Sequence, residues 1–244
     1  MTISIDNFDL SKYNDKRIKD NHSLMPKNCF RMIIAGGSGS GKTLLTTNMI
    51  LKYLNFDKLY IFAPSINQPA YLMLKDTFEQ LDNERKRIVR EYNNKHKRHM
   101  KQPEPIASFN DSIKDFKLDD LDKNEQHLII LDDMILDKKQ DPMKELYVRG
   151  RHRCASIIYL TQSYYQVPKI IRQNASSVII FNPTTKRELT LLHRDVGAGT
   201  ELRDFVKTIE EALEEPYSFV KIDVATNNRK LRFTSSFDKP LVFN

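Results

Sequence analysis

Cysteine is scarce in this chain. Only Cys29 and Cys154 occur among 244 residues, too few for a disulfide framework, and neither sits in a Cys/His cluster with zinc-ligand spacing. Both read as buried thiols in a protein kept in a reducing compartment. Long apolar runs are missing too. None approaches the roughly 20 residues that cross a bilayer, so no membrane segment is expected. The opening stretch MTISIDNFDLSKYNDKRIKD mixes acids with bases and has no uninterrupted apolar core. It does not read as a secretory signal, and a secreted protein is not expected. Internal repeats and low-complexity segments are absent, which argues against solenoids and disordered arrays. What remains, 40% hydrophobic and 29% charged, is the composition of a soluble globular protein with room for one well-buried α/β domain.

The net charge of +7 is unevenly spread. Between Glu84 and Lys101 stand eight basic residues (Arg85, Lys86, Arg87, Arg90, Lys95, Lys97, Arg98 and Lys101) against two glutamates. Such a patch suits a polyanion, which binds by releasing counterions. It equally suits the solvated face of a helix. The residues alone leave both readings open.

Residues 1–28 are polar and weakly periodic and read as an arm; residues 29–244 read as the folded domain. From Cys29 the pattern sharpens. Cys29 to Ala35 is a short apolar run ending in glycines, and Lys42 to Leu54 has the helical spacing Leu44, Leu45, Met49, Leu51, Leu54. A second strand, Lys58 to Ala63, stops at Pro64. A helix is expected from Gln68 to about Leu81, before the basic segment that Pro103 and Pro105 break off. His127 to Leu131 is again a strand, after a polar stretch from Asp111 to Glu125. Then follow a helix near Pro142 to Arg151, a strand Ser156 to Leu160, a short helix from Pro168, a strand Ser177 to Phe181, and helices over Thr185 to Val196 and Thr200 to Leu213. Apolar strands separated by helices indicate an α/β fold with a mainly parallel sheet covered on both faces. The last two runs, Tyr217 to Val224 and Lys230 to Thr234, flank the turn Thr226-Asn227-Asn228 and read as a C-terminal antiparallel hairpin.

The chemistry is concentrated at Gly36 to Thr43, GGSGSGKT, which matches G-x-x-x-x-G-K-S/T at every required position between a strand and a helix. Glycines permit the positive φ that turns successive backbone N–H groups onto a β-phosphate, and the helix N-terminus adds partial positive charge. The expected nucleotide-binding set is Gly36, Gly37, Ser38, Gly39, Ser40, Gly41, Lys42, Thr43 and Leu44. Lys42 should reach the β- and γ-phosphates, and the Thr43 hydroxyl should ligate Mg²⁺. A second magnesium anchor is expected at Asp132, where the strand HLIIL releases the chain. Strand alternation should turn Asp133 to the other face, making it the candidate base for the attacking water. Thr161 and Gln162 end the next strand, at the sheet edge where open α/β folds bind ligands. Gln162 is placed to hold the water or sense the γ-phosphate. Arg149, Arg151 and Arg153 offer a cation for the transferring phosphoryl group, with Arg172 and Arg187 as alternatives. His152 reads as structural or solvated. No N/T-K-x-D base-reading motif follows a strand, which argues against a GTPase.

GGSGSGKT, LIILDD, the block from RGRH to LTQ and the following IIRQNASSVIIF together resemble the FtsK/HerA superfamily of P-loop ATPases. Within it they resemble the poxvirus-type genome-packaging ATPases, which extend to virophages and Polinton-like elements. The resemblance covers roughly residues 28–195. It implies a RecA-like (ASCE) core in which the Thr161-Gln162 strand lies between the P-loop strand and the Asp132 strand. It implies Asp132 and Asp133 as the Walker B pair, Gln162 as the sensor and Arg151 as the arginine eleven residues before it, with Asn174 preceding the next strand. Cellular members usually carry Glu where Asp133 stands, and Val178 occupies the place of a further arginine. Implied partners are ATP and Mg²⁺, duplex DNA, a homo-oligomeric ring (hexamer or pentamer) and a capsid or portal-vertex protein, in the virion or the viral factory of the host cytoplasm. Three functions follow in order: a motor that moves double-stranded DNA into a preformed capsid, a helicase or other DNA-processing ATPase, and a nucleotide-dependent switch with little turnover.

Overall fold

The structure is a computed structural model that describes residues 18–97, 99–134, 141–183, 185–197, 199–226 and 228–243. Its strands are β1 (Arg31–Ala35), β2 (Lys58–Phe62), β3 (Ala107–Asn110), β4 (His127–Asp132), β5 (Ala155–Thr161), β6 (Ser177–Phe181), β7 (Phe219–Asp223), β8 (Phe233–Ser235) and β9 (Lys239–Pro240). Its α-helices are α1 (Lys42–Lys52), α2 (Pro69–His96), α3 (Asp141–Arg149), α4 (Lys169–Asn174), α5 (Lys186–Val196) and α6 (Leu202–Ala212). The strands form one sheet in the order β3-β2-β4-β5-β1-β6-β7-β8-β9. Neighbours from β3 to β6 are parallel. From β6 onward the pairing is antiparallel. The expected α/β architecture, its C-terminal antiparallel strands and the place of β5 between β1 and β4 are all present.

Alternation along the strands builds two cores. Ile33, Ile129, Leu131, Ile157, Tyr159, Val178 and Ile180 pack beneath α3, α4, α5 and α6, through Leu146, Ile171, Leu192 and Phe205. Met32, Ile34, Leu59, Ile61, Ile130, Ile158 and Ile179 pack beneath α1 and α2, through Met49, Ile50, Tyr71 and Leu74. Every residue of β5 and β6 is buried, as the central strands of a doubly covered parallel sheet must be. On α1 the buried residues are Lys42, Thr46, Thr47, Met49 and Ile50, while Leu44 and Leu51 of the expected apolar stripe are exposed. Cys29 and Cys154 form no disulfide and are half-buried, not buried as expected.

The largest departure is α2. The helix does not end near Leu81 but runs unbroken through the basic segment to His96. Its buried stripe is Tyr71, Leu74, Phe78 and Asp82; beyond Asp82 no residue of α2 is buried. Straight-chain residues with good helix propensity and close i,i+3 and i,i+4 pairs sustain the exposed half. These pairs, Arg85 to Asp82 at 2.9 Å, Arg87 to Glu84 at 2.6 Å and Arg87 to Glu91 at 3.4 Å, also cancel part of the segment's charge. Lys101 pairs with Glu104 at 2.8 Å, and Arg98 lies outside the described residues. Among the described residues, Lys86, Arg90, Lys95 and Lys97 remain without such a pair, and the four-residue spacing of Lys86 and Arg90 puts those two on one helix face. The last strand is also displaced: Lys230 to Thr234 was expected, but residues 229–231 form a 3-10 turn and β8 begins at Phe233. Asn227 of the expected turn, like residues 1–17 of the expected arm, lies outside the described residues. Within the rest of that stretch, the His22 amide donates to the Tyr53 carbonyl and Met25 is buried.

The unanticipated β3 is tied to α2 by Asp82, which is only 8% exposed and accepts the Ile106 amide at 3.1 Å. Asp82→Ala should orphan that amide and cost about 2 kcal/mol in urea unfolding. Arg87→Ala, which removes only exposed pairs, should leave the midpoint unchanged. Equal losses from the two would mean that the surface ion pairs, not the Asp82 tie, hold this edge.

Candidate active site

The glycine-rich loop leaves β1 at Ala35 and enters α1 at Lys42. Gly39 (φ 74°) and Gly41 (φ 101°) supply the left-handed conformations the loop requires, and Gly41 is the residue before the first turn of α1. The Gly36 amide donates to the Thr161 carbonyl at 3.2 Å, which fastens the start of the loop to the end of β5. At Gly36 a Cβ would lie 2.6 Å from Phe181 Cβ and 2.9 Å from Ser40 Oγ, so only glycine fits. The Lys42 ammonium curls back beneath the loop, donating to the carbonyls of Gly36 at 2.6 Å and Gly37 at 2.9 Å. Burial lowers its pKa, against the opposing pull of Asp133 and Asp132. Ser40 Oγ is buried without a hydrogen-bond partner, a polar atom inside the loop with its capacity unmet.

Asp132 ends β4 beside this loop. One carboxylate oxygen accepts the Tyr71 hydroxyl at 2.6 Å and the Gln68 side-chain amide at 3.2 Å, both from the start of α2. Burial raises the Asp132 pKa; the Tyr71 bond opposes it, and neighbouring Asp133 adds to the rise. Burial and the same carboxylate push Tyr71 far up, so it stays a donor. Asp133 does not turn to the opposite face as alternation predicts. It has already left the strand, with φ at 51°, and its backbone amide donates to Leu160. Its carboxylate accepts the Gln162 side-chain amide at 2.8 Å. The left-handed turn thus brings both carboxylates to one side.

The result is a cleft of about 500 Å³ at the carboxyl ends of the central strands. Ser38, Gly39, Ser40, Gly41, Lys42, Thr43 and Leu44 line one wall; Asp132, Asp133, Gln162 and Gln68 line another. Gly36 and Gly37 lie below, engaged with Lys42. Thr161 is buried and binds around the Ser163 backbone, so of the Thr161-Gln162 pair only Gln162 reaches the cleft.

The arginines are not brought there. Arg151 is exposed in a 3-10 turn before β5, at the amino edge of the sheet, while the loop lies at the carboxyl edge. The seven residues of β5 separate them by roughly 20 Å, so Arg151 does not serve its own cleft. Arg149 is bonded to Glu145, and Arg153 to Asp119. Arg172 is held by Asp195 at 2.8 Å and by the Val167 carbonyl. Arg187 lies over the Tyr165 ring and donates to its hydroxyl at 2.7 Å. His152 is exposed, and among the described residues no group of three or more His, Cys, Asp or Glu could form a metal site. A magnesium ion that keeps its waters and phosphate ligands needs only one or two protein oxygens, which Thr43 and Asp132 offer within one cleft.

Sequence reading missed Tyr71, Gln68 and Tyr217, which also lines the cleft. The first two belong to no motif. Their only signal is that Pro64 follows β2 on the carboxyl side of the sheet, just ahead of them.

A family model described as Poxvirus A32 protein matches residues 17–224. The DNA packaging protein OPG160 of Variola virus is 28% identical over 178 residues, which cover 68% of this chain and 56% of that protein. The protein of the same name in Vaccinia virus (strain Copenhagen) is 28% identical over 166 residues, 63% of this chain and 53% of that one. The chain spans about half the length of these curated relatives. Among solved structures, the genome packaging NTPase B204 of Sulfolobus turreted icosahedral virus 2 in complex with sulfate matches with a TM-score of 0.55 at 16% identity, covering 90% of this chain and 100% of that one. The same protein in complex with AMPPCP gives 0.52 at 16% identity, with coverages of 86% and 97%. At this identity the likeness is one of fold. Among the described residues no helix is long and apolar enough to cross a membrane.

Two outcomes follow from the geometry. Gly36→Ala should lower stability by about 1–3 kcal/mol through overpacking. Gly39→Ala, with open space but φ at 74°, should cost about 1 kcal/mol. Thermal unfolding ranks the two, and the reverse order would make backbone angle, not crowding, the limit on the loop. Asp132→Asn removes a carboxylate whose ionised form burial disfavours, so the nucleotide-free variant should melt higher than wild type at neutral pH. Because the wild-type pKa is raised, that advantage should shrink as the pH falls through it and the native carboxyl takes up its proton.

Proposed function

The chain belongs to the poxvirus A32 protein family, and from that premise and the shape of the cleft we propose that it is a Mg²⁺-dependent ATPase that drives double-stranded DNA into a preformed viral capsid. The observation that carries this reading is the convergence of Lys42, Thr43, Asp132, Asp133 and Gln162 on one cleft at the mouth of the glycine loop.

The backbone amides of the loop and the start of α1 bind the phosphates. The unpartnered Ser40 hydroxyl and the two left-handed glycines fit such a ligand. Lys42 exchanges the Gly36 and Gly37 carbonyls for the β- and γ-phosphate oxygens. The Thr43 hydroxyl and Asp132, the latter oriented by Tyr71 and Gln68, hold magnesium, which when bound neutralises phosphate charge. Asp133, already bonded to Gln162, takes the proton of the attacking water, and Gln162 orients that water toward the γ-phosphate. Arg151 lies at the far edge of the sheet, so its place in the mechanism is in a neighbour's site. That assignment requires a homo-oligomeric ring, hexamer or pentamer, around duplex DNA. Lys86 and Arg90, on one face of α2, are the cations best placed to meet phosphate backbones. A capsid or portal-vertex protein is the docking partner, in the virion or the viral factory.

Steady-state phosphate release with and without duplex DNA tests the reading. DNA should stimulate turnover, and Lys42→Ala should reduce it by about 100-fold or more. Wild-type rates in Lys42→Ala would overturn the site; a slow, DNA-insensitive wild type would favour a switch. Arg151→Ala should lose on the order of 10³-fold in turnover and recover part of it when mixed with Lys42→Ala subunits, which supply the missing arginine. No recovery in the mixture would remove Arg151 from the mechanism. Translocation on blunt duplex without unwinding of forked duplex separates a packaging motor from a helicase.

A further inference from the structure

Tyr217 has no part in the chemistry above, yet it stands in the same cleft. It occupies the third position of the tight turn Glu215-Pro216-Tyr217-Ser218, closed by the Ser218 amide donating to the Glu215 carbonyl at 3.1 Å. Its φ is 63°, a left-handed angle that turns normally give to Gly or Asn. A bulky residue held there is a strained choice, and strain of this kind gathers at ligand sites. The residue is 72% exposed, so core packing does not explain it. Its ring instead leans over the loop: a Cβ on Gly41 would meet Tyr217 Cδ1 at 3.3 Å. Leu44, also lining the cleft, is 64% exposed.

Topology says which end of a ligand these two groups face. Asp132, Asp133 and Gln162 stand at the carboxyl ends of β4 and β5, on one side of the P-loop strand β1. Tyr217 leads into β7, beyond β6 on the other side. A triphosphate whose terminal phosphate lies by the carboxylates must send its nucleoside toward β7.

We propose that Tyr217 is the stacking platform for the nucleobase of the bound nucleoside triphosphate, with Leu44 as the second apolar wall. The assignment rests on the nucleotide reading given above and adds the subsite that recognises the base. A flat aromatic ring on a short turn presents its π-face at little entropic cost, and stacking on such a ring is sequence-tolerant.

The chain contains no tryptophan, so Tyr217→Trp introduces a single reporter of this subsite. Its emission should change saturably with ATP but not with inorganic tripolyphosphate, which carries the phosphates without a base. Tyr217→Ala should weaken ATP binding on the order of tenfold and leave tripolyphosphate binding unchanged, while Tyr217→Phe keeps wild-type affinity for both. Equal losses for ATP and tripolyphosphate, or no loss for either, would overturn the platform, as would an emission change with tripolyphosphate alone. If the nucleotide reading itself were wrong, neither ligand would bind the wild-type chain; a wild type that binds both with equal affinity refutes the base subsite only.

Discussion

A nearly buried ammonium beneath a loop of glycines is the interaction on which the site depends. Lys42 is 9% exposed, and without compensation its charge would be costly there. Two backbone carbonyls of the loop it follows and the field of two carboxylates from β4 keep it charged. In the function proposed above the ammonium moves to the nucleotide, since phosphate oxygens are stronger acceptors for a cation than neutral carbonyls. The loop is thus held in shape by its own cation.

That economy extends to the carboxylates. Asp132 carries donors from Tyr71 and Gln68 at 2.6 and 3.2 Å, and Asp133 carries one from Gln162 at 2.8 Å. Each negative group is thus oriented by a neutral donor that leaves its charge in place. Strand order makes this possible. β2, β4, β5 and β1 are parallel and adjacent, so the turns and helices that follow them open at one edge, and residues over a hundred positions apart meet there. The antiparallel strands on the other flank bring Tyr217 to the opposite end of the cleft. Arg151 stands at the amino edge for the same reason: it precedes a strand where the others follow one.

The basic segment acquires a different meaning once folded. Much of its excess charge is spent within α2, in pairs of Arg85 and Arg87 with Asp82, Glu84 and Glu91. Exposed pairs of this kind contribute little to stability, but they leave only Lys86, Arg90, Lys95 and Lys97 of the described segment unpaired.

Local pattern was enough to reveal the phosphate loop, the apolar central strands and the carboxylates after HLIIL, because a loop that must bind with its backbone needs its glycines at fixed spacing and a doubly buried strand must be apolar throughout. Local pattern was not enough for the half-exposed β3, whose four residues ASFN bury no full face, or for the end of α2, where salt bridges replace the apolar stripe as the sign of a helix. Nor did it reveal that Asp133 would leave its strand through a left-handed turn and rejoin Asp132. Tyr71, Gln68 and Tyr217 belong to no motif. Their roles come from which strand ends neighbour one another, and that is set by long-range pairing between segments whose own sequences carry no trace of the partner.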